Sequence, residues 1–364
     1  MIALSDITAL VDAGLCAPSG DNCQPWAFEW AAQTLRVRFE PHRAESLYDV
    51  RQAASWIALG ALLANTEIAA RQHGLQVTTR LFPPGRQDSI VAELAIQRAN
   101  PGQDPLFSSL ELRCVNRRPY HTRPLDPRMA QSLLQVGNAV DNVRLDLVEE
   151  STLIGQIAAL AALNDRMVFE NQALHHGLFR WIRWTMTAAR QSGDGLPLAC
   201  LELPWLERPG FWLLRSWACS RLCAWIGVTR LLPYHRESIY RRSAAMALFS
   251  NQHLEPEQIV QTGRVLERVW LTATHGGIAV QPITGTTFLG LRCQWLSGEG
   301  LTPSHRAALQ PILGQLREWF GVPATYTPLL LLRLGYADPP TARTLRRPAC
   351  EVLRSTDTDE PPST

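Results

Sequence analysis

Residues 69–77 read AARQHGLQV, and residues 272–280 read TATHGGIAV. Each closes a long apolar stretch with a His-Gly step and opens an alternating run. That pattern is a helix ending on a left-handed glycine and passing into a strand. Reading outward from the first copy, residues 49–75 predict a long helix, apolar on most faces, with Gly74 at its end. Outward from the second, Pro256 opens a helix, Gly276 and Gly277 close it, and a strand follows. Such a recurrence predicts an internal duplication. The expected architecture is α+β, with two related halves at 1–100 and 101–354 and a disordered tail at 355–364.

The rest of the chain fits that plan. Ile7, Leu10, Val11 and Leu15 predict a helix over 5–16, with Ser5 as its cap. TLRVRFE (34–40) and QVTTRLFP (76–83) predict strands, and 89–99 is strand-like through Leu94. Leu329–Leu332 predicts a buried strand ended by Gly335. An insertion at 165–255 separates the halves and carries Trp181, Trp184, Trp205, Trp212, Trp217 and Trp225. Within it, Arg215, Arg221 and Arg230 argue against a membrane span, each costing about 2.5–3.5 kcal/mol at a bilayer centre. The insertion reads first as a helical lid or substrate wall, and second as a membrane-surface patch.

Bulk properties bound the function. The chain has 364 residues, 46% hydrophobic and 19% charged, with net charge +2. No strong field points to nucleic acid, and the basic residues are almost all arginine. Eight scattered cysteines form no CxxC pair and no zinc set, so they read as buried free thiols and no metal is expected. The N-terminus lacks a positive leader and carries Asp6 and Asp12; a cytoplasmic protein is expected.

Four stretches carry the chemistry. CAPSGDNCQPWAF (16–28) packs turn formers and amides against Trp26 and Phe28, a hydrogen-bonding rim over an aromatic anchor. RCVNRRPYHTRP (113–124) sets Arg113 and Arg117 one helical turn apart, able to converge on one anion; the plain alternative is a solvated basic face. ARTLRRPACEVL (342–353) adds Arg346 and Arg347 after a core strand. GGIAVQPITG (276–285) offers a strand end with peptide N–H groups for a flat ring. Together they suit a flat heterocycle bearing a phosphate. GxGxxG, P-loop, HExxH and GxSxG arrangements are missing from the sequence.

PSGDNCQPWAF, RCVNRRPY, HGGIAVQPITG and LRRP resemble the nitroreductase superfamily of FMN flavoproteins, and more closely its Acg-like single-chain members and the modules found beside ThiF-type adenylyltransferases. The resemblance implies a nitroreductase-like fold, with two fused halves standing in for two subunits as a pseudo-dimer. It implies one composite FMN site per chain: Arg113, Asn116, Arg117, Arg346 and Arg347 on the phosphate side, Ser19, Asn22 and Gln24 on the ribityl chain or pyrimidine edge, and Gln281, Pro282, Ile283, Thr284 and Gly285 along the ring. Val115 stands where members often have Ser or Thr, and Thr284 where many active reductases have Glu.

The leading expectation is therefore an FMN-dependent oxidoreductase acting on a small molecule or pathway intermediate, with NADH or NADPH as candidate donors. The flavin would carry the hydride chemistry at N5. No catalytic side chain is assigned; His121 and His275 read as structural. The alternative is an FMN-sequestering protein without turnover. A further homodimer and a biosynthetic partner protein are left open.

Overall fold

The computed structural model describes residues 2–83 and 89–355. Helix α1 (Leu4–Leu15) leads through a ten-residue loop to β1 (Trp26–Ala31) and β2 (Thr34–Phe39), followed by α2 (Ala53–Gln72), β3 (Leu75–Leu81) and β4 (Ile90–Arg98). Next come α3 (Pro127–Gly137), β5 (Val143–Val148), α4 (Ser151–Glu170) and α5 (Gln172–Trp181). A short excursion follows: β6 (Ile182–Arg183), α6 (Met186–Ser192), β7 (Leu196–Pro197), α7 (Arg208–Leu214), α8 (Trp217–Trp225) and α9 (Leu232–Tyr240). The chain finishes with β8 (Ala245–Asn251), α10 (Pro256–His275), β9 (Ala279–Pro282), α11 (Gly285–Leu296), α12 (Pro303–Leu309), α13 (Ile312–Phe320), β10 (Thr327–Gly335), α14 (Ala349–Val352) and β11 (Leu353–Ser355).

The fold is α+β, as expected. Four strands of one sheet lie in the order β1-β2-β4-β3, and the second sheet runs β5-β8-β10-β9. Every neighbouring pair within those eight strands is antiparallel. The two orders match strand for strand: first strand, strand before the long helix, closing strand, and strand after the helix at the edge. The final strand β11 crosses back and pairs in parallel with β1, Phe28 opposite Leu353.

Between the sheets lie α2 and α10. The same 203-residue spacing separates Ala53 from Pro256, Gly60 from Gly263, and Gln72 from His275 at the helix ends and middles. It also separates Gly74 from Gly277, both at positive φ past the helix ends. The helices cross at their glycines. A Cβ on Gly60 would lie 2.0 Å from the Val260 carbonyl, and one on Gly263 2.1 Å from that of Ile57. Close backbone approach here requires the missing side chains. Val50–Gln72 is long and apolar enough to cross a bilayer, but 89% of its apolar window is buried in this core.

Several local expectations need correction. Ser5 lies inside α1, and Asp6 instead accepts from the Ala3 N–H at 3.3 Å. β1 was not anticipated: Trp26, Phe28 and Trp30 alternate into the core, so the aromatic anchors of the rim are a strand. Its hairpin turn uses Ala32 and Gln33, both at positive φ, without the Asn-Gly signal. Of the expected insertion 165–255, β8 (Ala245–Asn251) belongs to the second sheet, and the excursion between β5 and β8 begins with α4. Of the expected tail, Ser355 pairs in β11, and 356–364 lie outside the described residues. All eight cysteines are free, but only Cys23 and Cys200 are buried.

Candidate functional site

The segment 113–117 is extended rather than helical, and Val115 bridges in parallel to Val280 of β9. Extended backbone places alternate residues on one side. Arg113, Val115 and Arg117 line one cleft together with Cys114 between them, while Asn116 is buried behind it, donating to the Asp338 carbonyl at 2.9 Å. The C-terminal crossing repeats the device. Ala342, Arg343, Thr344 and Arg346 line the cleft; Arg347 is paired with Glu40 at 3.1 Å and lies off it.

The cleft encloses about 160 Å³. Its wall includes Cys16, Ser19, Asp21 and Asn22 from the rim, and Leu196 and Cys200 from the excursion. Arg113 donates to the Cys16 carbonyl at 2.6 Å, and Arg346 reaches the same carbonyl at 3.3 Å. Behind Arg113, Glu267 of α10 lies 3.0 Å away, both side chains essentially inaccessible. The guanidinium also stacks 4.6 Å from the Trp270 ring. Burial pushes the Glu267 carboxyl up, and Arg113 pulls it back.

Among the described residues, no carboxylate lies in ion-pair range of Arg346. Its Nη1 donates to Asn22 Oδ1 at 2.8 Å and Thr344 Oγ1 at 2.8 Å, and its buried Nε has no hydrogen-bond partner. Burial, then the neighbouring Arg113, pull this guanidinium down to about 10. Burial likewise lowers Arg117, whose Nη1 donates to the Cys200 carbonyl at 3.1 Å. Burial pushes Asp21 up to about 6, against the pull of Arg117. Four arginines, Arg113, Arg117, Arg343 and Arg346, thus line the cleft with two carboxylates, Asp21, which is fully charged only above that pH, and Glu111, while Glu267 behind them is committed to Arg113. A cleft of this kind stabilises an anion.

The rim is held in an uncommon backbone state, with Asp21, Asn22 and Gln24 all at positive φ. Its polar side chains are engaged by protein. Ser19 Oγ accepts from the Gln24 N–H at 3.0 Å. Asn22 Nδ2 donates to the carbonyls of Gly195 and Leu345 at 3.0 and 2.9 Å. Gln24 Nε2 donates to the Gly193 carbonyl at 2.9 Å, and its Oε1 accepts from the Arg347 N–H at 2.9 Å. Between those glycines, Asp194 is gripped by Arg43 and Arg183, each at 2.5 Å. The excursion is therefore fastened onto the rim.

A second, smaller cleft shares Ser19 and Asp21 with the first and is lined by Arg43, Tyr48, Asp49, Ser55 and Trp181. Gln281–Gly285 lines neither cleft. The Ile283 N–H, expected to be free, donates to the Leu331 carbonyl at 2.8 Å. Gln281 Oε1 accepts from Arg333 Nε at 2.8 Å. Arg333 is fully buried with its guanidinium 3.9 Å from the Tyr120 ring centre, and it ties β10 to the carbonyls of Asn116 and Arg118. Gly285 abuts the Asn164 amide, which accepts from Tyr48 Oη at 2.8 Å. His121 and His275 are outside both clefts.

Residues missed from the sequence include Asp21, Cys200, Glu267, Arg333 and the Arg43–Asp194 pair. Glu267 left a signal: it stands on the buried stripe of α10 with Gly263 and Trp270. Arg333 did too, as the lone charge in LLLLRLG. Asp194 gave none.

Fit to FMN divides in two. The phosphate matches the guanidinium cluster and the unpartnered Arg346 Nε. The heterocycle does not fit this arrangement, because the rim amides hold residues 193–195 and Gln281–Gly285 is outside the clefts.

No family model matches the chain. Over 351 residues it is 27% identical to the uncharacterized protein MT1398 of Mycobacterium tuberculosis (strain CDC 1551 / Oshkosh), covering 94% of this chain and 47% of the relative. The chain thus spans about half the length of that relative. Among solved structures it is similar to the FMN-dependent nitroreductase NfnB from Mycobacterium smegmatis in complex with NADPH, at TM-score 0.38 and 16% identity, covering 69% of this chain and 97% of that one. A nitroreductase with bound FMN from Desulfitobacterium hafniense gives 0.39 and 10%, with 70% and 98% covered. Nitroreductase A from Vibrio parahaemolyticus gives 0.38 and 12%, with 71% and 78% covered. The architecture given above rests on the chain's own strand pairing, not on these likenesses.

Proposed function

We propose that this chain is a nitroreductase-like FMN flavoprotein and an oxidoreductase, built from two fused halves at 1–100 and 101–354 that act as a pseudo-dimer. The observation that carries the cofactor reading is the cleft of Arg113, Arg117 and Arg346, whose buried Arg346 Nε has no acceptor. The equal strand orders and the glycine crossing support the duplication. Arg113, Arg117 and Arg346 would hold the phosphate, with Asn116 and Arg347 shaping the two extended segments behind them. Ser19, Asn22 and Gln24 would turn from the excursion to the cofactor, and Gln281–Gly285 would border the ring once residues 193–200 lift. FMN, when bound, supplies hydride chemistry. The substrate is a small molecule, and the setting is the cytoplasm.

A second reading is favoured by a specific contact. The 193–195 segment is fastened to both rim amides, which suits a protein that encloses flavin and shields it from NADH or NADPH.

Titrating the purified chain with FMN, followed by flavin fluorescence, tests the cofactor. Binding is expected, and Arg346→Gln should weaken it at least about tenfold. Unchanged affinity in an Arg117→Gln/Arg346→Gln variant would remove the cleft from the site. Bleaching of the flavin bands by NADH or NADPH without oxygen then supports turnover; bands that persist with both donors support sequestration.

A further inference from the structure

The excursion presents an apolar surface that the flavin reading does not use. Helices α8 and α9 pack on α4, and α7 packs on α8. Trp205, Trp212 and Trp225 are 74%, 65% and 83% exposed, and Leu213, Leu231 and Tyr234 are exposed beside them in sequence. Single exposed apolar residues need no explanation, but a run of this size marks a contact surface.

Its charges are one-sided. Arg208, Arg215, Arg221 and Arg230 are exposed in and between α7–α9, while the two carboxylates of residues 203–240, Glu207 and Glu237, are paired with His235 and Arg241. Among the described residues, no carboxylate lies in ion-pair range of any of those four arginines, while Glu207 faces His235 at 3.3 Å. A second copy of this chain is a poor occupant: a two-fold contact would set the same unpaired arginines against each other. The helices have seven to nine residues each, far short of a span. Exposed Trp and Tyr with flanking Arg, on short helices lying along a surface, suit the interface of a bilayer.

We propose that α7–α9 dock this protein on a membrane surface carrying anionic phospholipid, the tryptophans and leucines entering the headgroup boundary and the arginines facing phosphate.

Co-sedimentation of the full chain with vesicles tests this. Vesicles of phosphatidylcholine with phosphatidylglycerol should bind it at least about tenfold more tightly than phosphatidylcholine alone, with binding falling as salt rises. Tryptophan emission should shift to shorter wavelength on the anionic vesicles. Trp212→Ser/Trp225→Ser should lose the binding and keep the melting temperature, because both rings are mostly outside the fold. Arg221→Gln and Arg230→Gln should each weaken it about fivefold. No binding to either vesicle, equal binding to both, or a tryptophan variant that binds like wild type would overturn the proposal. So would a concentration-dependent dimer, seen by light scattering without lipid, that the same tryptophan changes abolish.

Discussion

The turn joining β1 to β2 and the excursion joining β5 to β8 occupy the same place in two sheets of equal strand order. The first is two residues, Ala32 and Gln33; the second runs from 149 to 244 and holds six helices. One connection keeps the sheet edge short, and the other builds a cover and an exposed apolar face. The loops before the first strands contrast in the opposite direction. Residues 16–25 form the strained rim, while 138–142 make an ordinary short link between α3 and β5. Equal scaffolds therefore carry unequal loops, and one cleft is assembled from parts of both. Loops tolerate such divergence because they add little to the shared core.

The comparison breaks most severely where α2 and α10 touch. Gly263→Val should destabilise the chain by about 3 kcal/mol or more, since the new side chain must displace the Ile57 backbone. Thermal melting checks it; a melting point within a degree of wild type would mean the helices do not cross there. Next in size is the ion pair behind the cleft. Arg113→Met alone leaves Glu267 buried and unpaired, an expected loss of about 3–5 kcal/mol in urea denaturation. Arg113→Met with Glu267→Met should recover most of that loss, and a double variant as unstable as the single would deny the coupling. Gly263→Val acts on the scaffold and should weaken anion binding only through stability, whereas Arg113→Met also removes a guanidinium from the cleft and should weaken it directly.

The smallest effect sharpens the loop side of the contrast. Asp21 titrates near 6 in the fold against 3.8 for the free carboxyl. The folded state binds this proton more tightly, so folding stability declines as pH rises from 3.8 toward 6. Above that range the charged carboxylate offsets Arg117; below it the cleft is more positive. Sulfate, which keeps its charge throughout, should bind about fivefold more tightly at pH 5 than at pH 7. Asp21→Asn should flatten that dependence and bind at pH 7 as wild type does at pH 5. Calorimetry gives both values, and an unaltered pH profile in Asp21→Asn would take this residue out of the cleft's electrostatics.

Much of this was legible in the residues, and the reasons are local. Gly74, Pro256 and the apolar runs name helix ends and strands because backbone preference and periodicity act over a few positions. The arginines at 113, 117 and 346 stood out because buried guanidiniums need partners, and forked donors suit an anion or a carboxylate. Their geometry was misread as helical, yet an extended chain aligns 113 with 117 as well as a helix does. Tertiary structure alone decided that Arg347 turns to Glu40 while Arg346 enters the cleft. It alone set the carbonyls of Gly193 and Gly195 against Gln24 and Asn22. Those contacts join residues some 170 positions apart. Sequence determined which segments form and what chemistry they carry. Packing determined which side chains meet, because an amide or guanidinium takes whatever partner the fold brings within reach.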